Sequence, residues 1–205
     1  MRFLITAGGT REYIDPVRFI SNASSGRMGY SLARAALRRG HNVTLVTCPA
    51  ALQPPKGAKV IQVETSAQMF EAVKKNFARC DCLIMAAAVS DYRPERTSAA
   101  KIKKGKGSLT IRLKPTKDIL TWAGKNKKHQ VVVGFALEDK TVRANAEKKL
   151  RDKNLNMIVA NTPSAIGAEI STVHIKTPGT TWTKINKATK TTIAAKIIRQ
   201  AESLK

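Results

Sequence analysis

Short apolar runs alternating with segments of helical period constrain this chain more than any other feature of its sequence. Residues 3–6, 43–46, 59–63, 82–85, 131–135 and 157–160 are such runs, of the length and composition of buried strands. Between them, residues 27–39 repeat Met28, Leu32, Ala35, Ala36 and Leu37 at helical spacing, and Gly40 follows as a C-terminal cap. Residues 67–78 place Met69, Ala72, Val73 and Phe77 on one side of a second helix, and residues 141–151 and 191–204 read as further helices. Strands separated by helices imply a mainly parallel sheet covered on both faces. The expected fold is α/β, a Rossmann-like three-layer sandwich, with residues 1–205 forming a single domain of ordinary size.

The rhythm breaks after residue 90. Residues 91–107 are polar and basic, and 109–113 alternate like a half-exposed strand. Residues 101–104 could pair with them across Gly105 and Gly107, giving a basic β-hairpin flap. Residues 173–176 and 181–185 read as an edge pair. Of the net charge of +23, residues 101–153 carry 16 Lys/Arg against 5 Asp/Glu, a net of +11. Such a concentration attracts anions, but charge alone does not choose among nucleic acid, a nucleoside triphosphate and a solvated surface.

Several classes are excluded or disfavoured. No apolar run approaches the ~20 residues that span a bilayer, so no membrane partner is expected. Residues 1–5 reach Gly8 and Gly9 too soon for a signal peptide. Cys48, Cys80 and Cys82 are an odd, sparse set, which argues against disulfides and for a reducing, cytoplasmic compartment. Cys80 and Cys82 are too close for a usual zinc pair and His41, His129 and His174 are scattered, so no metal site is expected. No Ser-His-Asp or Gly-x-Ser-x-Gly arrangement supports hydrolysis. Nucleic-acid binding has the charge in its favour, but aromatics are only 5% and no recognition module is legible.

In a sheet of this kind ligands bind beyond the carboxyl ends of the strands. Thr6-Ala7-Gly8-Gly9-Thr10 follows the first strand, and Ser24-Ser25-Gly26-Arg27-Met28-Gly29 opens the first helix. Glycines let backbone amides approach phosphate oxygens, and a helix N-terminus favours anions. A plain tight turn and a capping serine fit equally well. A dinucleotide site would need its glycines together between strand and helix, and an acid after the second strand. Here residues 11–23 intervene and the second strand ends Thr47-Cys48-Pro49, which disfavours an NAD(P)-dependent reductase. Within the insert, Asp15 could simply start a turn before Pro16, and Asn22 could cap locally.

Taken together, Ile5-Thr6-Ala7-Gly8-Gly9-Thr10-Arg11-Glu12, Asp15-Pro16-Val17-Arg18-Phe19-Ile20-Ser21-Asn22, Ser24-Ser25-Gly26, Ala87-Ala88-Val89-Ser90-Asp91-Tyr92-Arg93, Lys101-Ile102-Lys103-Lys104, Val133-Gly134-Phe135-Ala136 and Lys153-Asn154-Leu155 resemble, in order, the phosphopantothenoylcysteine synthetase family, the ligase of coenzyme A biosynthesis. The resemblance extends from residue 3 to about residue 161. It implies activation of the 4′-phosphopantothenate carboxylate by CTP or ATP, with Mg²⁺ accompanying the nucleotide, followed by amide formation with L-cysteine. By the same resemblance Lys101 matches the lysine implicated in forming the acyl-nucleotide, and Asn22 the asparagine implicated in its conversion. Arg18 is expected to meet a phosphate or carboxylate bidentately. The expected nucleotide-binding set is Gly8, Gly9, Thr10, Ser24, Gly26, Ala87, Asp91, Lys114, Phe135, Lys149 and Lys153. Without the resemblance, Lys101 to Lys106 would read as a solvated basic run, Lys149 and Lys153 as an exposed helix face, and Phe135 as core.

One departure stands out. Lys117 occupies the position where the family has a proline before Asp-Ile, which leaves the choice between CTP and ATP open. Many relatives carry an N-terminal flavin-dependent decarboxylase domain. This sequence begins directly in the ligase, so no flavin is expected and a separate decarboxylase is implied. Relatives are dimers, so a homodimer is expected, with the flap lending groups to a neighbouring site.

Overall fold

The central strands are apolar on both faces because helices cover both. In β1 (Arg2–Ala7), Phe3, Ile5 and Ala7 join one core cluster while Leu4 joins the other, the alternation a pleated strand imposes. The computed structural model describes all of residues 1–205. After β1 come β2 (Arg11–Tyr13), β3 (Phe19–Ser21), α1 (Arg27–Arg38), β4 (Asn42–Thr47), β5 (Lys59–Gln62), α2 (Ser66–Phe77) and β6 (Cys82–Met85). Then follow β7 (Tyr92–Pro94), β8 (Leu113–Pro115), α3 (Ile119–Asn126), β9 (Val131–Leu137) and α4 (Val142–Asp152). The chain finishes with β10 (Met157–Asn161), a 3₁₀ turn at Pro163–Ala165, β11 (Ile170–Lys176), β12 (Thr183–Thr189) and α5 (Lys190–Glu202).

Eight strands form one sheet in the order β12-β11-β10-β9-β6-β1-β4-β5, parallel from β10 to β5 and antiparallel at β11 and β12. One face packs α1 and α5 through residues such as Leu32, Ala36, Ile193 and Ile197. The other packs α2, α3 and α4 through Met69, Val73, Leu120, Ala123 and Leu150. The α/β layering expected from the sequence is therefore the observed one. Gly29 permits the closest helix–strand approach, since a Cβ there would lie 2.5 Å from the Ala7 Cβ and 2.8 Å from the Thr6 oxygen. From β1 the chain winds outward to β4 and β5, then returns across β1 to build β6, β9 and β10 on its other side. That reversal opens a crevice between β1 and β6 at the carboxyl ends of the strands.

The flap differs in its pairing from the expected hairpin of residues 101–104 with 109–113. A two-stranded arm does form, but it pairs Tyr92 with Pro115, Arg93 with Lys114 and Pro94 with Leu113. Residues 101–104 stay out of any ladder because the Ile102 amide and carbonyl are already bound, to Asp15 and Arg18 respectively. Like charges on Lys101, Lys103, Lys104 and Arg112 also disfavour a strand pair there. Two small elements had no sequence signal of their own: the β2–β3 hairpin and the eight-residue α3. No helix is long and apolar enough to cross a membrane.

Candidate active site at the switch point

Two buried threonines organise the crevice. The Thr6 hydroxyl accepts the Ala87 amide at 3.1 Å and the Thr10 hydroxyl accepts the Ser90 amide at 3.0 Å. Backbone pairing continues past the strand ends, with the Ala88 amide donating to Gly8 O at 2.8 Å and the Thr10 amide donating to Ala88 O at 3.2 Å. The Asn22 side-chain amide donates to the same Ala88 carbonyl at 3.3 Å, which fixes Asn22 over this seam. Gly9 must lack a side chain, because a Cβ would sit 2.8 Å from Asn22 O. Gly26, at φ 74°, brings the start of α1 against Gly8, and a Cβ on it would lie 3.3 Å from the Gly8 nitrogen.

Gly8, Gly9, Thr10, Asn22, Ser24, Gly26 and Ala87 are thus brought to one crevice. The capping reading of Ser24 is corrected: α1 begins at Gly26 with no side-chain cap and no acid in its first turn. The Ser24 hydroxyl instead accepts the Gly26 amide at 3.4 Å within the loop. The first amides of α1 therefore keep their capacity for an anion, which the helix dipole favours. At the second strand, Thr47 and Cys48 are buried and bring no carboxylate of their own to the crevice.

A second group lies around the end of β9. Lys149 Nζ donates to the Phe135 carbonyl at 2.8 Å. Burial pushes the Lys149 ammonium below its ordinary pKa and Lys153 adds repulsion, opposed by Glu138, Asp118 and Asp91. Asp91 and Asp118 therefore share the electrostatic field of Lys149. Lys149 is half-buried, unlike the solvated helix face the sequence alone suggests. Phe135 is half-buried, packed against the core but open on one side. Lys153 Nζ pairs with Asp118 Oδ2 at 2.7 Å, while Asp118 Oδ1 caps α3 by accepting the Thr121 amide at 2.8 Å. Burial pushes the Asp118 carboxyl up, yet the bonds from Lys153 and Thr121 outweigh it and leave it below its ordinary value. Asp91 is exposed, and its backbone oxygen accepts the Thr116 amide at 2.8 Å, which ties the β7–β8 arm carrying Lys114 to the crevice. Lys117 lies over the Phe70 ring at 4.8 Å, a cation–π contact that steadies the loop where the family has its proline.

Arg18 is already engaged within the chain. Its guanidinium already holds Asp15, with Nε 2.9 Å from Oδ2, and donates to the Ile102 carbonyl at 2.6 Å. Asp15 is fully buried, and the Arg18 guanidinium holds its carboxyl well below the usual range. Lys101, Lys103, Lys104 and Lys106 are exposed and form no ion pair within the chain. Three residues outside the expected site set matter here: Asp15, Asp118 and Ser90. Asp15 and Asp118 each precede a turn or helix start and read as local caps. Ser90 is buried with a hydroxyl that has no hydrogen-bond partner. No three His, Cys, Asp or Glu residues converge as a metal-binding cluster. Hollows of about 280 and 640 Å³ lie elsewhere, beside the 3₁₀ turn and between α4 and the β11–β12 turn, and contain none of the crevice residues.

The family described as "DNA/pantothenate metabolism flavoprotein C-terminal domain" matches residues 1–204. Among curated proteins, the chain is 47% identical over 209 residues to a cysteine/cysteine sulfinic acid decarboxylase from an unknown prokaryotic organism, covering 99% of this chain and 58% of that protein. It is 48% identical over 166 residues to the coenzyme A biosynthesis bifunctional protein CoaBC of Bacillus subtilis (strain 168), covering 80% of this chain and 41% of that protein. The chain therefore spans about half the length of the curated relatives it matches. Among solved structures, the C-terminal domain of a CoaBC superposes with a TM-score of 0.87 at 40% identity, covering 99% of this chain and 94% of that one. With the fold, the motifs and these likenesses in agreement, the chain belongs to the phosphopantothenoylcysteine synthetase family, the C-terminal domain of the DNA/pantothenate metabolism flavoproteins.

Proposed function

We propose that this chain is a cytoplasmic phosphopantothenate–cysteine ligase acting in coenzyme A biosynthesis. The observation that carries the reading is the crevice itself. Asn22, the 87–90 backbone and the uncapped start of α1 converge at the switch point, and the β7–β8 arm that carries Lys114 is tied to it through the Asp91 carbonyl. The carboxylate of 4′-phosphopantothenate attacks the α-phosphorus of CTP, or of ATP, and pyrophosphate leaves. The amine of L-cysteine then attacks the acyl carbon, the amide forms and the nucleoside monophosphate departs. Neither step moves electrons to or from a carrier, so no flavin is required.

Such transfers depend on positioning and charge neutralisation rather than on a protein nucleophile. Gly8, Gly9, Thr10, Ser24, Gly26 and Ala87 supply close backbone approach to the nucleotide. Lys149, Lys153, Lys114, Asp91 and Phe135 surround its other side. Lys101 stabilises charge on the transferring phosphoryl group, worth about 3 kcal/mol for one well-aimed donor. Asn22 can donate to an acyl oxygen and accept from the incoming amine. Magnesium binds through one or two carboxylates plus substrate phosphates, and the exposed Asp91 carboxylate suits an ion that arrives on the triphosphate. A homodimer is supported by the exposed apolar residues gathered on the two arms: Val17, Phe19, Tyr92, Leu109 and Leu113 are 41–58% exposed.

The test is pyrophosphate release with 4′-phosphopantothenate, Mg²⁺ and either CTP or ATP, with and without cysteine. Acid-dependent release that Lys101→Gln abolishes, together with acyl-nucleotide accumulation in Asn22→Asp, is the expected result and names the nucleotide. Absence of release with both triphosphates would remove the ligase reading.

A further inference from the structure

The Asp15 carboxylate accepts five hydrogen bonds. Oδ1 takes the amides of Val17 at 2.9 Å and Arg18 at 2.8 Å, closing a tight turn. Oδ2 takes Arg18 Nε at 2.9 Å, Arg18 Nη2, and the Ile102 amide at 3.1 Å. Arg18 Nη2 then reaches on to the Ile102 carbonyl at 2.6 Å. Both backbone groups of Ile102, a residue 87 positions away from Asp15 in sequence, are therefore gripped by one ion pair.

The grip lies on an otherwise unsupported stretch. Residues 101–112 carry no helix or ladder, and a Cβ at Gly105 or Gly107 would touch nothing within 4 Å. Upstream, the Ser98 amide donates to Ile14 O at 2.9 Å and the Thr97 hydroxyl to Tyr13 O at 3.1 Å, so the same hairpin holds the run-in to Lys101. The β2–β3 hairpin that grips Ile102 leads directly, through β3, into Asn22. A buried carboxylate with its hydrogen bonds filled is a rigid point, since breaking one partner leaves an uncompensated charge in the interior.

We propose that Asp15 is a positioning residue: through Arg18 and Ile102 it fixes the basic arm to the β2–β3 hairpin, so that Lys101 and Asn22 are held on one rigid support. The proposal rests on the ligase reading above. Arg18 on this view acts on the arm rather than on substrate. Asp15 touches neither substrate nor nucleotide, and its effect is confined to the step that uses Lys101.

The test uses the full chain and Asp15→Asn, which keeps size and the Oδ1 turn but replaces an acceptor with a donor facing Ile102 and Arg18. Ile102→Pro is the second variant, since it deletes the Ile102 amide and leaves Asp15 and Arg18 intact. Three readouts are taken: hydrogen exchange at the Ile102 amide (in the unmutated protein and Asp15→Asn), pyrophosphate release, and conversion of separately prepared acyl-nucleotide by cysteine. Loss of Ile102 protection, with pyrophosphate release falling about 10- to 100-fold, is expected for a group displaced by about 1 Å. The KM for triphosphate and the cysteine step should stay within about twofold of the unmutated protein, a split that general loss of structure would not produce. Ile102→Pro should reproduce the rate split. Unchanged Ile102 protection in Asp15→Asn, or lost protection with unchanged release, overturns the proposal. Equal losses in both steps would also overturn it. If the unmutated protein releases no pyrophosphate, the ligase reading fails and the catalytic role with it, while Ile102 exchange still reports whether the grip exists.

Discussion

Lys149 and Phe135 are joined by a hydrogen bond in which the lysine ammonium donates to the backbone carbonyl at 2.8 Å, at the carboxyl end of β9. One bond to a carbonyl compensates a half-buried cation only in part, and burial sets the Lys149 ammonium below its ordinary pKa. The folded protein therefore holds this proton less tightly than the unfolded chain does, and between the two pKa values the unfolded state binds more protons. Stability consequently rises with pH across that window. Lys149→Met should be more stable than the unmutated protein at pH 7, with the difference shrinking as pH approaches 10. The same variant should bind triphosphate more weakly by about 1.5–3 kcal/mol, the worth of a charged hydrogen bond. Thermal melts across pH, with and without nucleotide, check both.

Asp118 serves two partners at once, and its variants should separate them. Asp118→Asn keeps a good cap for α3 but loses the ion pair to Lys153. Asp118→Ala loses both, and should cost about 1 kcal/mol more through the cap alone. If Lys153 needs Asp118 to stay in place, both variants should raise the KM for nucleotide alike. Denaturant midpoints and steady-state kinetics distinguish the two effects.

Gly9→Ala and Gly29→Ala test two close approaches with different consequences. At Gly29 the new methyl meets Ala7 and Thr6 in the core, and destabilisation of about 1–3 kcal/mol is expected from overpacking. At Gly9 it meets the backbone of Asn22 at 2.8 Å, so the expected outcome is a loss of ligation rate larger than the loss of stability. Melting temperatures beside turnover numbers decide.

Much of this architecture is legible in the sequence because burial writes itself into period. The six parallel strands and four longer helices follow from runs such as 82–85 and 131–135 and from helical repeats such as 27–39. What is not legible depends on contacts between distant residues. The pairing of Leu113 with Pro94 rather than with residues 101–104 is decided by Asp15, far off in sequence, capturing Ile102. Eight-residue α3 is too short to show a period, and its Asp118 cap is apparent only in the folded chain. At the site, glycines and Asn22 could be placed from motif order, whereas the engagement of Arg18 could not, since an arginine beside a turn-forming aspartate looks free until the chain is folded.

The three thiols are predicted to be inert. Burial pushes Cys48 and Cys80 each up to about 12 and Cys82 well above its ordinary value. A thiol reagent at pH 8 should label none of them in the folded protein and all three after denaturation. Labelling of Cys48, which lies against Gly8, would show that the crevice opens further than its hydrogen bonds allow.

At the opposite end of the sheet, one oxygen of Asp81 receives both ends of the polypeptide: Arg2 Nη2 at 2.8 Å and Lys205 Nζ at 2.9 Å. The Arg2 bonds lead in holding the Asp81 carboxyl well below its ordinary pKa, so their contribution is present above about pH 4 and fades as acid protonates it. Asp81→Asn should melt lower than the unmutated protein at pH 7, converge with it in acid, and leave kinetics untouched. The two ends are also near enough to be spliced by a short loop, with new termini opened in the turn after α1. A rewired chain of that kind would carry its cut and its join on the floor of the molecule, a sheet's length from the crevice, and any domain fused at either end would hang there too.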